Sequence, residues 1–331
     1  MAETSFNVLI SSAGRRVALL RTFREALEDL GLGGEVLAVD ISELSSAFQL
    51  ADRSWTVPRC TDEAFIPAML ALCERERVGL VIPTIDTALA AWAAHRERFE
   101  AIGTAVAISS PETVAIAADK HSTHRWLTAE GLPTVRQGTP EEVLADRASW
   151  PFPLIAKPVG GSCSIGVHLV VSVEELVTVT RSEPYIVQSV APGVEYTVSV
   201  LVDRGGRAVC AVPRERLAVR AGEVSKGRTV REPELIALAS TVAERLPGAF
   251  GALNVQIFRD ATTGEMNIIE VNPRFGGGYP LACRAGAHYS RWLIEEAMGL
   301  PSTARGDLWR DGLVMLRYDD AVFVEPDALS R

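Results

Sequence analysis

Two stretches in the C-terminal third alternate apolar and polar positions at the two-residue period of a strand, residues 253–258 and 266–272. The turn chemistry of Thr262-Thr263-Gly264 lies between them. In the first arm Leu253, Val255 and Ile257 share one face and Asn254 and Gln256 the other. In the second, Ile269 and Val271 share a face, and Ile268, Glu270 and Asn272 the opposite one. A hairpin centred on Thr263 sets Gln256 across from Glu270, with Cβ atoms roughly 5 Å apart. The chain continues as Asn272-Pro273-Arg274-Phe275-Gly276-Gly277-Gly278-Tyr279-Pro280. That run ends a strand and lets backbone lie close to a ligand. An amide, a carboxylate, a second amide and an arginine thus converge on one patch, and such oxygen donors suit Mg²⁺.

Earlier patterns predict an α/β layer. Strands at 6–10, 35–40, 54–57, 80–83 and 105–108 alternate with helical periodicity, first with Val17, Leu20, Phe23, Leu27 and Leu30 on one side, then over 63–77 and 86–99. This is a Rossmann-like start, placed at residues 1–112. Gly-x-Gly-x-x-Gly is missing after the first strand, which argues against a nicotinamide cofactor. Ser11-Ser12-Ala13-Gly14 reads either as a tight turn or as an anion-holding helix N-terminus. Asp86, past a strand end, reads as an N-cap in preference to a ligand neighbour.

A second unit opens at Lys120 with a helix to Glu130. An apolar strand over 152–156 ends in Lys157 and enters a loop containing Gly161, Ser162, Ser164 and Gly166. The loop reads as a phosphate cradle or as a hairpin turn, and it is not a P-loop. Strands follow over 185–190, 195–200 and 208–212, then a cationic run with Arg214, Arg216 and Lys226, and an amphipathic helix over 233–246. After the hairpin come a helix over 289–298 and a strand over 314–318. The cationic run is either a solvated loop or a surface facing an anionic substrate. Lobes are placed at 113–187 and 188–331.

Composition narrows the function. With 331 residues, two or three domains are expected. A net charge of −9 argues against general nucleic-acid binding. No apolar run approaches the ~18–20 residues that span a bilayer, and the first residues do not read as a signal peptide. The five scattered cysteines fit free thiols in a reducing cytoplasm.

Taken together, these motifs resemble the ATP-grasp superfamily, in its carbamoyl-phosphate-synthase-like branch, over nearly the whole chain. The resemblance implies a Rossmann-like pre-ATP-grasp domain followed by a two-lobed ATP-grasp module. It implies that Gln256, Glu270 and Asn272 bind Mg²⁺, with Mn²⁺ as a substitute, and that Arg274 stabilises the transferring phosphoryl group. Lys120 and Lys157 match phosphate-binding lysines, and 161–166 matches the lid loop. Gln188 and Val190 match the adenine hinge, and Glu195 the ribose carboxylate. The hinge is often Glu in that family, and an amide here still bonds the adenine amino group.

The implied chemistry is that of an ADP-forming ligase. A small-molecule carboxylate attacks the γ-phosphoryl group of ATP, and an amine or another nucleophile then displaces phosphate from the acyl phosphate. Lys157 and Lys226 join Arg274 in supplying catalytic charge. Arg214, Arg216, Gly276, Gly277 and Tyr279 are assigned to the substrate pocket. The alternatives are an enzyme of the same fold acting on bicarbonate or carbamate, a nucleotide-binding subunit without turnover, and a Rossmann oxidoreductase. A homodimer is the default assembly.

Overall fold

The computed structural model describes residues 5–160, 166–181, 183–220, 222–325 and 329. The chain begins β1 (Asn7–Ser11), α1 (Val17–Asp29), β2 (Val36–Asp40), α2 (Ser46–Leu50), β3 (Arg53–Thr56), α3 (Phe65–Arg75), β4 (Val78–Pro83), α4 (Asp86–Glu100) and β5 (Ala105–Val106). The five strands form a parallel sheet in the order β3-β2-β1-β4-β5. Near-continuous apolar runs form its central strands because both faces are covered. Leu9, Val39, Met69 and Trp92 pack on one side, and Val8, Ile10, Leu20 and Phe23 on the other.

Two helices, α5 (Pro111–Ala118) and α6 (Lys120–Ala129), lead out of this layer. The Asp119 side chain accepts from Ser122 N and caps α6, which makes Lys120 its first residue. The small lobe holds β6 (Gln137–Gly138), α7 (Pro140–Ala145), β7 (Leu154–Pro158), β8 (His168–Val170), α8 (Val173–Val179) and β9 (Tyr185–Ser189). Its antiparallel sheet runs β6-β9-β7-β8. Its core, around Trp150, Leu154, Ala156 and Val187, is its own.

The large lobe comprises β10 (Val194–Val202), β11 (Ala208–Arg220), β12 (Glu223–Thr229), α9 (Pro233–Arg245), β13 (Gly251–Arg259), β14 (Met266–Asn272), α10 (Tyr279–Ala285), α11 (Tyr289–Ala297) and β15 (Val314–Leu316). Its antiparallel sheet runs β14-β13-β10-β11-β12-β15. Helix α9 and the inner residues Val198, Val200, Leu253, Val255 and Ile257 make one core. The other helices do something composition did not foretell: Tyr279, Tyr289 and Trp292 share a single core with Leu20 and Phe23 of α1. No helix among the described residues is long and apolar enough to cross a membrane.

The hairpin of β13 and β14 has the expected register at its centre, with Gln256 opposite Glu270 and Asn254 opposite Asn272. Beyond Gln256 the pairing shifts by one residue. Ile268 therefore lies in the core with Val271, not on the face of Glu270 as strict alternation predicts. Ile269 is released to the cavity side. A bulge re-aims side chains in this way and is common beside functional sites.

Candidate active site

The face of the large sheet opposite its core lays polar residues in rows. Arg214, Thr197, Gln256 and Glu270 stand side by side on β11, β10, β13 and β14. Ser199, Asn254 and Asn272 form the next row. With strands roughly 4.8 Å apart, a sheet of this kind spreads donors and acceptors at regular intervals. All of these but Ser199 line a cavity of about 160 Å³ together with Arg16, Glu195, Arg216, Glu223, Arg274 and the glycines 276–278. A second cavity of about 240 Å³ shares Glu270 and Asn272 with the first, and is closed by Asp86, Lys120, Thr123 and Ile269.

Arg274 is held tightly. Its Nε donates to Asp86 Oδ1 at 2.9 Å and its Nη2 to Asp86 Oδ2 at 2.7 Å, a two-pronged ion pair. Nη2 also reaches Asn272 Oδ1 at 3.2 Å. Asp86 is therefore not a side-chain N-cap: Ile85 occupies the cap position and Asp86 begins α4. Its partner lies 188 residues away, beyond any local signal. The Asn254 amide braces the same loop, donating to the Arg274 carbonyl at 2.6 Å.

Arg214 is buried, with no carboxylate paired to it among the described residues. Nη2 donates to Ser199 Oγ at 3.0 Å and to Asn254 Oδ1 at 3.2 Å, while its Nε has no partner. Burial lowers its pKa to about 10. Gly278 makes room for it, since a Cβ there would overlap Arg214 Nη1. Arg216 instead pairs with Glu195 at 3.0 Å. Burial raises the Glu195 carboxyl, and Arg216 opposes that rise. From the first layer, Arg16 enters beside Glu223, its pKa lowered by burial and then by Arg274.

The small lobe faces this wall. Lys157 on β7 is 7% exposed, and burial lowers its pKa to about 8, partly offset by Glu270. Lys120 Nζ donates to the Val159 carbonyl at 3.3 Å. Gln188 is buried on β9, and Val190 lies just past that strand, 42% exposed. Gly166 has φ +72°, the left-handed region, against Pro158 and Tyr185. Gly161, Ser162 and Ser164 lie outside the described residues.

Lys226 and Tyr279 line neither cavity, and neither do Lys157, Gln188, Val190 and Gly166 of the small lobe and its edge. Lys226 is exposed on β12, where it alternates with Gly227, the residue that pairs with Arg216 on the wall. Tyr279 is 1% exposed within the core, its hydroxyl hydrogen-bonded to Ser290 and the Ala287 carbonyl. In the Ser11–Gly14 turn the Gly14 amide is taken by a carboxylate of the chain itself, donating to Asp40 Oδ2 at 2.6 Å. Arg16, Ser199, Glu223 and Asn254 are additions, and Asp86 takes the ligand-neighbour reading in place of the preferred cap. Asn254 had a legible signal in its shared face with Gln256, and Asp86 in its place past a strand end.

The donor set fits a hard divalent cation. Gln256 and Asn272 offer amide oxygens and Glu270 a carboxylate, a weakly anionic set that suits Mg²⁺ completed by phosphate oxygens. The cations around it suit a polyphosphate and a carboxylate.

Residues 8–107 match the family model of the PylC-like N-terminal domain, and residues 117–278 that of the ATP-grasp domain. No curated protein matches the sequence significantly. Among solved structures, the ADP complex of an N5-carboxyaminoimidazole ribonucleotide synthetase is similar at a TM-score of 0.73 and 18% identity, over 93% of this chain and 81% of that one. The biotin carboxylase domain of a Hydrogenobacter thermophilus 2-oxoglutarate carboxylase, with MgADP, ADP and bicarbonate, gives 0.71 and 18%, over 93% and 73%. The N5-carboxyaminoimidazole synthetase of Staphylococcus aureus gives 0.71 and 13%, over 92% and 80%. Together the two family models cover more than three quarters of the chain, which carries an ATP-grasp domain behind a PylC-like N-terminal domain.

Proposed function

We propose that the protein is an ADP-forming, ATP- and Mg²⁺-dependent ligase that joins a small-molecule carboxylate to an amine through an acyl phosphate. One observation carries the reading: Gln256 opposite Glu270, with Asn272 and Arg274 on the same wall and Lys157 close enough to feel the Glu270 charge. Gln256, Glu270 and Asn272 would hold the metal. Bound there, it would neutralise and align phosphate oxygens.

ATP lies between the two sheets, with Lys120 and Lys157 on its phosphates and Gln188, Val190 and Glu195 on its nucleoside. The Arg214 guanidinium, bonded to Ser199 and Asn254 and to no acid among the described residues, holds the substrate carboxylate beside the row of metal ligands. A carboxylate oxygen attacks the γ-phosphorus and the bond to ADP breaks. The amine nitrogen then attacks the acyl carbon, phosphate departs with the bonding electrons, and the nitrogen loses a proton. Catalysis is positioning and charge neutralisation, and Asp86 fixes Arg274 for both. Such chemistry and the free thiols suit a reducing, ATP-rich cytoplasm.

Bicarbonate as the phosphorylated acid is the second reading. It is favoured by the similar carboxylase domain solved with bicarbonate and by the small size of the cavity beside Arg214. Incubation with MgATP and amino-acid mixtures, with and without bicarbonate, separates the two. ADP and phosphate release that follows the amino acid supports the first, and release that follows bicarbonate the second. AMP and pyrophosphate would overturn both. Glu270→Ala is expected to lower turnover by at least about a hundredfold with the fold intact. A wild-type protein that binds ATP but never turns it over would make this a regulatory subunit.

A further inference from the structure

Gln188 and Gln137 sit directly opposite each other on β9 and β6. On its other side Gln188 pairs with Ile155, two residues before Lys157, so Gln188, Gln137, Ile155 and Lys157 share one face of the small sheet. The neighbouring positions Leu154, Ala156 and Val187 point the other way, into the lobe's core. The polar face is therefore the one that carries Lys157 towards Glu270.

A chain of amide contacts runs across it. Gln137 Nε2 donates to the backbone carbonyl of Lys120 at 3.4 Å, and Gln188 Nε2 donates to Gln137 Oε1 at 2.7 Å. A backbone carbonyl only accepts, so the Gln137 NH₂ group must face Lys120 and its oxygen must face Gln188. That oxygen in turn demands the NH₂ group of Gln188. Both orientations follow from the network, which is how amide oxygens and nitrogens are told apart. Gln188 Oε1 is left turned away from the relay, with no donor on it among the described residues.

A carboxylate at position 188 would present an acceptor whichever way it turned. An amide has one accepting and one donating end, and only an external partner decides which end meets a ligand. We propose that Gln137 is a positioning residue that sets nucleobase preference. By fixing the Gln188 amide, it presents an acceptor to the 6-amino group of adenine and opposes the 6-oxo group of hypoxanthine or guanine. The inference rests on the reading of Gln188 as the adenine contact. A 6-oxo base would bring an acceptor against an acceptor and leave both unsatisfied, the situation polar sites discriminate against most strongly.

The test is calorimetric binding of MgATP and MgITP to the full chain, which needs no knowledge of the other substrates. ITP replaces the 6-amino group with a 6-oxo group. The wild type is expected to prefer ATP by about tenfold or more. Gln137→Leu frees the Gln188 amide to turn and should cut that preference by about tenfold, mainly by weakening ATP. Adding Gln188→Glu to Gln137→Leu should restore it, a rescue that a merely structural role for Gln137 would not show. If Gln137→Leu leaves the ratio unchanged while Gln188→Leu collapses it, the relay is wrong and the adenine contact stands. If Gln188→Leu leaves the ratio unchanged, the contact itself is wrong and the relay falls with it. Equal weakening of both nucleotides without rescue also overturns the proposal. Should Gln137→Leu fold poorly, Gln137→Glu serves in its place. Its carboxylate accepts from Gln188 without bonding Lys120, so it should keep the ATP preference.

Discussion

Lys157 carries its charge in a buried place, and the pKa of about 8 records the cost of that burial against the attraction of Glu270. An anionic phosphate would raise that pKa again, so protonated Lys157 is the form that binds nucleotide. MgATP affinity should be full below about pH 7 and fall as pH rises through about 8, by up to tenfold per unit. Lys157→Arg, which keeps its charge, should flatten the fall. Calorimetry from pH 6.5 to 9.5 checks this, and constant affinity across that range would remove Lys157 from the phosphates. The sign for the fold without nucleotide is opposite. The unfolded chain holds the Lys157 proton between about 8 and its ordinary 10.5 while the folded chain releases it, so this group makes stability rise with pH there. Asp86 makes a related point. Its carboxylate could have capped α4 locally, yet it takes both prongs of Arg274, where two parallel bonds join opposite full charges.

At the scale of elements, the bulge in β14 and the three glycines after it decide what faces the cavity. Without the shift past Gln256, Ile268 would sit among the metal ligands and Ile269 in the core. The glycines let the loop pass over Arg214, Glu223 and Asn254 without side chains of its own. Gly278 has φ −92°, which any residue tolerates, so its requirement is space alone. Gly278→Ala should push Arg214 off Ser199 and Asn254, lowering stability by about 1–3 kcal/mol. A fall in Tm is the readout, and an unchanged Tm would mean that the arginine is not wedged there.

At the scale of the molecule, the first layer and the large lobe are joined by one apolar core, while the small lobe keeps a separate one. Residues 1–112 look like a detachable domain along the chain. In space they cover Phe275, Tyr279, Tyr289 and Trp292 and send Arg16 and Asp86 into the cavity. A fragment of residues 113–331 would expose those aromatic rings. It is expected to aggregate or to lose the near-ultraviolet dichroism of a fixed core, and a soluble fragment with native dichroism would contradict this. The small lobe packs around its own core, centred on Trp150, Leu154, Ala156 and Val187.

Periodicity and turn chemistry were enough for the parallel layer, for the hairpin centred on Thr263, and for Gln256, Glu270, Asn272 and Arg274 on one patch. Each of those depends on residues close in sequence, where alternation and strand pairing act directly. Long-range packing decided the rest. Arg16 and Asp86 reach the cavities because two cores merge, Tyr279 is drawn into that shared core, and Lys226 is turned out because its neighbour Gly227 is the residue that meets Arg216. Local pattern says which side of its own element a residue takes. Which partner meets that side depends on how layers far apart in the chain bury their apolar faces together.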